Sequence, residues 1–198
     1  MSGIALSARG VVGGRGRGPV SLDVLDGQLT ALMGPAGAGK SALLRILAGH
    51  EAPAAGTVGE GPGRRCLALV QPPPRRSWRG ALRRLACSER GGGTGAAAGA
   101  ARRFDSLEEA LASDASLVLA DEDGAGWWSD AELERAATLR EWIRDQRRSA
   151  LLVTSDPVAA ARADRVVFLN DGAVVGDLQR PDVAEVLTAI ATMCRAAD

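Results

Sequence analysis

From Gln28 to Gly49 the chain reads QLTALMGPAGAGKSALLRILAG. Leu29, Ala31, Leu32 and Met33 form an apolar run of strand length. Gly34-Pro35-Ala36-Gly37-Ala38-Gly39-Lys40-Ser41 then fits the pattern G-x-x-x-x-G-K-[ST]. Leu43, Leu44, Ile46 and Leu47 follow at helical spacing, and Gly49 stands where a helix would stop. A strand, a glycine-rich loop and a helix in that order mark a phosphate-binding loop, so an α/β fold of the P-loop type is expected.

Those residue types suit that chemistry. Glycines let the backbone bend until successive N–H groups point inward at an anion. The helix that follows offers free N–H groups and the positive end of its dipole to the same anion. Lys40, the only lysine in the chain, would reach the β- and γ-phosphates, and the Ser41 hydroxyl would bind Mg²⁺. The second half of such a site is expected at Leu117-Val118-Leu119-Ala120, an apolar strand running into Asp121-Glu122. Asp121 would hold Mg²⁺ opposite Ser41, and Glu122 would stand where a base can polarise the attacking water.

Composition limits the other readings. A chain of 198 residues suffices for one domain with a sizeable core. The formal net charge is zero, so no global field favours nucleic acid or acidic lipid. Cys66, Cys87 and Cys194 are widely spaced without a C-x-x-C pair, which reads as idle or buried thiols of a reducing compartment. No apolar run reaches membrane-spanning length, and MSGIALSARG lacks the features of a secretion signal. A cytoplasmic protein is expected.

Outward from the loop, Ile4 to Val12 and Val20 to Leu25 read as strands of a small β layer, joined by GGRGRGP, with a turn at Asp26-Gly27. Ala52 to Gly63 reads as a Pro/Gly-rich loop with a brief strand at Thr57-Val58, and Cys66 to Val70 as a strand ending at Gln71 and three prolines. From Arg75 to Arg103 arginines dominate, with Glu89 the one acid, and Gly91 to Ala101 is a low-complexity Gly/Ala run expected to be partly flexible. That basic stretch could contact nucleic acid, but a solvated surface is the preferred reading without a motif or interleaved aromatics. Leu107, Ala110 and Leu111 suit a helix, as do Leu133, Ala136, Ala137, Leu139 and Ile143 behind a cap at Ser129 or Asp130. Ala150 to Thr154 reads as a strand followed by Ser155-Asp156-Pro157 and an alanine-rich helix to Ala163. A hairpin turning at Asn170-Asp171-Gly172 and a helix from Asp182 to Arg195 end the chain.

These motifs resemble the ATP-binding subunits of ABC transporters over nearly the whole chain. GPAGAGKSALLRILAG is similar to that family's Walker A and its helix, SLVLADE to its Walker B with the catalytic glutamate, and LLVTSDPVAAARADRVVFLNDGAVV to its switch strand and closing hairpin. The resemblance implies an ABC-type nucleotide-binding domain over 1–198, with an N-terminal β layer and a shortened helical insert. It implies ATP and Mg²⁺ as cofactors, nucleotide contacts from Gly34 to Ala42, and Gln71 beside Asp121 and Ser41 at the metal. It also implies a membrane-spanning subunit and a second ATP-binding subunit, identical or not, as partners, with the chain held on the inner face of the membrane. The family has a histidine where this chain has Ser155, the switch position, and its signature LSGGQ counts onto Ala97–Ala101. Its N-terminal adenine-stacking ring is replaced by Val11 or Val12. ATP binding with hydrolysis that is weak or partner-dependent is therefore expected. The alternatives are a regulatory module that clamps MgATP without turnover and a P-loop ATPase acting on nucleic acid.

Overall fold

A computed structural model describes residues 3–13, 18–61, 67–70, 101–121, 130–144 and 148–195, apart from the side chain of residue 132. The expectations placed on Gln71, on Glu122, on Cys66 and Cys87, and on the arginine-rich segment up to residue 100 lie outside the described residues.

Two sheets carry the fold. β1 (Ile4–Val12), β2 (Val20–Leu25) and β4 (Ala55–Glu60) form an antiparallel sheet in the order β2-β1-β4. The second sheet combines β3 (Leu29–Met33), β5 (Leu67–Val70), β6 (Arg102–Phe104), β7 (Leu117–Ala120), β8 (Ser149–Val153), β9 (Arg165–Asn170) and β10 (Ala173–Gln179). Its order is β10-β9-β3-β8-β7-β5-β6. All pairings are parallel except that of β10 with β9. β3, β5, β7 and β8 are buried at every position, as expected for parallel strands covered on both faces.

The period-2 alternation of these strands sorts their side chains between two cores. Leu32, Leu117, Leu119, Leu151 and Val153 meet the β1-β2-β4 layer and helix α1 (Lys40–Leu47). Leu29, Ala31, Val118, Ala120 and Leu152 face the opposite core, filled by α3 (Asp130–Arg144) through Ala136, Leu139, Trp142 and Ile143. Ala159 and Ala160 of α4 (Pro157–Ala160) and Val186 of α5 (Val183–Arg195) join that core. Helix α2 (Leu107–Leu111) is capped by Ser106, whose hydroxyl accepts from the Glu109 N–H, and it turns Ala110 inward.

Several local expectations shift. The brief strand at Thr57-Val58 is a six-residue edge strand, because β1 offers Leu6 to Val12 as a pairing template. The alanine-rich helix after Pro157 stops at Ala160 rather than Ala163, and the chain turns at once into β9. β6 has no counterpart in the sequence reading. Arg102 and Arg103 are exposed strand residues paired in parallel with Ala68 and Leu69, so ladder hydrogen bonds override the weak strand preference of an Arg-Arg pair.

Candidate functional site

The parallel order brings the C-terminal ends of β3, β8 and β7 to one edge of the sheet, with β8 between the other two. Crevices at such an edge are where open α/β sheets bind ligands. The loop 34–39 leaves β3 there, Asp121 leaves β7, and Ser155 leaves β8. Residues distant in sequence thus converge because strand order, not chain order, sets adjacency.

The loop's shape depends on glycine at two points. Gly34 adopts φ 150°, and a Cβ there would stand 2.0 Å from the Leu169 carbonyl oxygen, so only hydrogen fits against β9. Gly39 is the N-cap of α1 at φ 100°, in the left-handed region that glycine favours. Helix α1 has no side-chain cap and no acid in its first turn, which leaves its N-terminal N–H groups for an anionic partner.

Lys40 is only 5% exposed. Its ammonium folds back over the loop and donates to the carbonyl oxygens of Gly34, at 2.8 Å, and Pro35, at 3.2 Å. The Ser41 hydroxyl donates to Asp121 Oδ1 at 3.0 Å. That contact spans the width of β8 and joins the two half-motifs. Asp121 is itself 6% exposed, and its N–H donates to the Val70 carbonyl at 2.9 Å. A hydroxyl and a carboxylate together are hard oxygen donors of the kind Mg²⁺ takes. Among the described residues no cluster of three His, Cys, Asp or Glu side chains could hold a metal. At nucleotide sites a magnesium ion usually takes one or two protein oxygens and completes its shell with phosphate oxygens and water. The donor set fits a magnesium nucleotide.

Ser155 is half-buried between Thr154 and Asp156, which are both buried. The Asp156 N–H donates to Thr154 Oγ1 at 3.0 Å. Asp156 Oδ1 accepts from the N–H groups of Val158 and Ala159. This cap fixes the backbone on which Ser155 sits. Strand order places the end of β8, and Ser155 just beyond it, between the ends of β3 and β7.

Val11 is buried and, with Gly13, Gly18, Ala38, Gly39 and Ala42, lines a cavity of about 30 Å³ between β1 and the start of α1. The side of the site next to β1 is therefore aliphatic. Ala101 ends the segment onto which the signature counts, and it is 6% exposed. Its N–H donates to the Ala48 carbonyl at 2.8 Å, and its carbonyl lies 2.7 Å from His50 Nε2. His50 is thus exposed, as a surface loop residue would be, yet it ties Ala101 to the end of the chain's own α1. Ala101 then leads into edge strand β6 rather than into a helix.

Sequence reasoning missed two contacts at the site. Asp156 before Pro157 marks the helix start in the sequence, but the cap bonds of its carboxylate to Val158 and Ala159 emerge only in the structure. Arg135, in α3, donates to the Asp121 carbonyl at 2.7 Å. Nothing in the local pattern separates it from solvent-facing neighbours such as Glu134.

The sequence profile of the ABC transporter family matches residues 18–86. The aliphatic sulfonates import ATP-binding protein SsuB 1 of Agrobacterium fabrum is 31% identical, over 88% of this chain and 74% of its own length. The ABC transporter ATP-binding protein YxdL of Bacillus subtilis is 26% identical, over 84% of this chain and 81% of its own. Among solved structures, a nucleotide-free ATP-binding cassette from an ABC transporter superposes with a TM-score of 0.64 at 14% identity, over 95% of this chain and 96% of that one. A dimeric bacterial ABC transporter cassette superposes at 0.62 and 19% identity, over 89% of this chain and 99% of that one. Both likenesses concern the fold.

Proposed function

This chain belongs to the family of ABC transporter ATP-binding subunits, and on that premise we propose how its own residues bind and use the nucleotide. The N–H groups of the loop from Gly34 to Gly39 and of the first turn of α1, reaching to Ala42, hold the phosphate oxygens. Lys40 leaves its carbonyl partners and pairs with the β- and γ-phosphates. Ser41 and Asp121 hold the magnesium ion, with Gln71 as a further ligand. Magnesium supplies the charge that offsets the phosphates during transfer. Glu122 polarises the attacking water. The observation that carries this reading is the 3.0 Å contact of Ser41 with Asp121, which prebuilds the metal pair beside Lys40.

Hydrolysis by the isolated chain is slow in this reading. A neutral serine at 155 supplies at most a short hydrogen bond where a histidine would reach the γ-phosphate, and one such orienting group is worth about 3 kcal/mol of barrier. The chain works on the cytoplasmic face of a membrane through a membrane-spanning subunit, and it pairs with a second ATP-binding subunit. The preferred pairing is a heterodimer in which this chain accepts a signature from its partner and offers none. The anchoring of Ala101 to Ala48 and His50 supports that asymmetry, since a buried residue tied to the end of α1 is poorly placed to meet a partner's phosphate.

Calorimetric titration of the full chain tests the binding half. MgATP should bind, and Lys40→Ala should abolish binding. GTP should bind within about threefold of ATP, under 1 kcal/mol, because among the described residues the side next to Val11 is aliphatic and offers no ring to stack on the base. Unchanged affinity in Lys40→Ala would remove the reading, and a strong preference for ATP would reveal a base pocket outside Val11 and Val12.

A further inference from the structure

Three of the contacts at Asp121 bear on its geometry. Its N–H is tied to β5 through the Val70 carbonyl. Its carboxylate takes the Ser41 hydroxyl. Its carbonyl takes a guanidinium N–H of Arg135 at 2.7 Å. The first two contacts belong to the sheet and to the metal pair. The third comes from α3, on the opposite face of the sheet, and joins a charged donor to the peptide group that links Asp121 to Glu122.

That placement has chemical consequences. A peptide group is planar and bonded to Cα, so holding the Asp121 carbonyl restrains the backbone from which the Asp121 carboxylate projects. A charged donor to a carbonyl is among the stronger hydrogen bonds a protein makes. Ala136 and Leu139, both fully buried, seat α3 against the sheet and bring Arg135 to this carbonyl. A solvent-facing arginine would have no reason to spend its rotamer freedom on a main-chain oxygen at the end of a buried strand.

We propose that Arg135 is a positioning residue of the nucleotide site: by clamping the Asp121 carbonyl it holds the metal-binding carboxylate in register with Ser41. The role rests on the reading of Asp121 as the magnesium ligand. It concerns metal and water geometry and not phosphate capture, which belongs to the loop and Lys40 on the other side of β8.

The two parts separate experimentally. Nucleotide affinity of the full chain is measured by calorimetry in excess chelator, and Mn²⁺ affinity of the nucleotide-loaded chain by electron paramagnetic resonance. Arg135→Met keeps the packing stem and removes the donor, and Arg135→Lys keeps a charged donor. Arg135→Met should bind nucleotide without metal as the unmodified chain does, and should hold Mn²⁺ roughly five- to tenfold more weakly with a broadened signal. Arg135→Lys should recover most of the Mn²⁺ affinity. Equal Mn²⁺ affinity in Arg135→Met and the unmodified chain overturns the role, as does an equal loss of nucleotide affinity with and without metal. An unmodified chain that binds nucleotide but shows no Mn²⁺ dependence on Asp121, tested by Asp121→Asn, overturns the site assignment instead.

Discussion

Replacing Gly34 by alanine separates the shape of the phosphate loop from the stability of the sheet that carries it. The new Cβ would stand 2.0 Å from the Leu169 carbonyl oxygen and 3.1 Å from its carbon. A carbon–oxygen contact needs about 3.3 Å, so loop or strand must part by roughly 1.3 Å. Backbone strain at a φ of this kind adds about 1–3 kcal/mol, and overpacking against a main-chain atom adds about as much again. The sum, roughly 2–6 kcal/mol, corresponds to a fall in Tm of about 5–20 °C for a chain of this size. Gly27→Ala is the control, since Gly27 has φ 73° but nothing within 4 Å of its would-be Cβ. It should lose only the backbone contribution of about 1–2 kcal/mol. Nucleotide affinity should separate the two further. The Gly34 carbonyl is the 2.8 Å partner of the Lys40 ammonium, so Gly34→Ala displaces the lysine's seat and should weaken MgATP at least about tenfold, or 1.4 kcal/mol. Gly27→Ala, at the other end of β3, should leave affinity unchanged. Thermal melts and calorimetry on both variants decide the matter. If the two are indistinguishable in Tm and in affinity, the close approach to Leu169 does not shape the loop.

Ser155→His should raise ATP turnover only at the site containing Lys40, and only when a partner supplies the signature; the measurement mixes each form with a partner whose own Walker lysine is inactivated. Equal stimulation of the chain alone would exclude the asymmetric pair. Asp177 is held below the usual carboxylate range, chiefly by hydrogen bonds from Arg165, whose Nε–H meets Oδ1 at 2.9 Å. A depressed folded pKa gives stability that is complete above the unfolded value near 3.8 and is lost as pH falls through the lower folded value. Because Asp177 is partly exposed, the pair is worth about 0.5–1 kcal/mol after screening. Asp177→Asn should therefore melt a few degrees lower at pH 7, with the gap closing below about pH 4; a gap that stays constant down to pH 3 refutes the assignment.

Much of this protein was legible in the order of its residues because the signals are local. The loop from Gly34 to Ser41 carries its own geometry in its glycines and its own chemistry in Lys40. The apolar run ending in Asp121-Glu122 needs only its neighbour's periodicity to be read as a buried strand. Asp156 beside Pro157 announces a helix start. What lies between segments was not written there. Strand order placed β8 between β3 and β7, and only that order brings Ser41 within 3.0 Å of Asp121, eighty positions away. Pairing with β5 made a strand of Arg102–Phe104, where composition suggested a solvated basic stretch. The seating of α3 turned Arg135 onto the Asp121 carbonyl. Periodicity says which face of an element is apolar, but not which distant backbone group a long polar side chain will meet, because that depends on how the packed layers close.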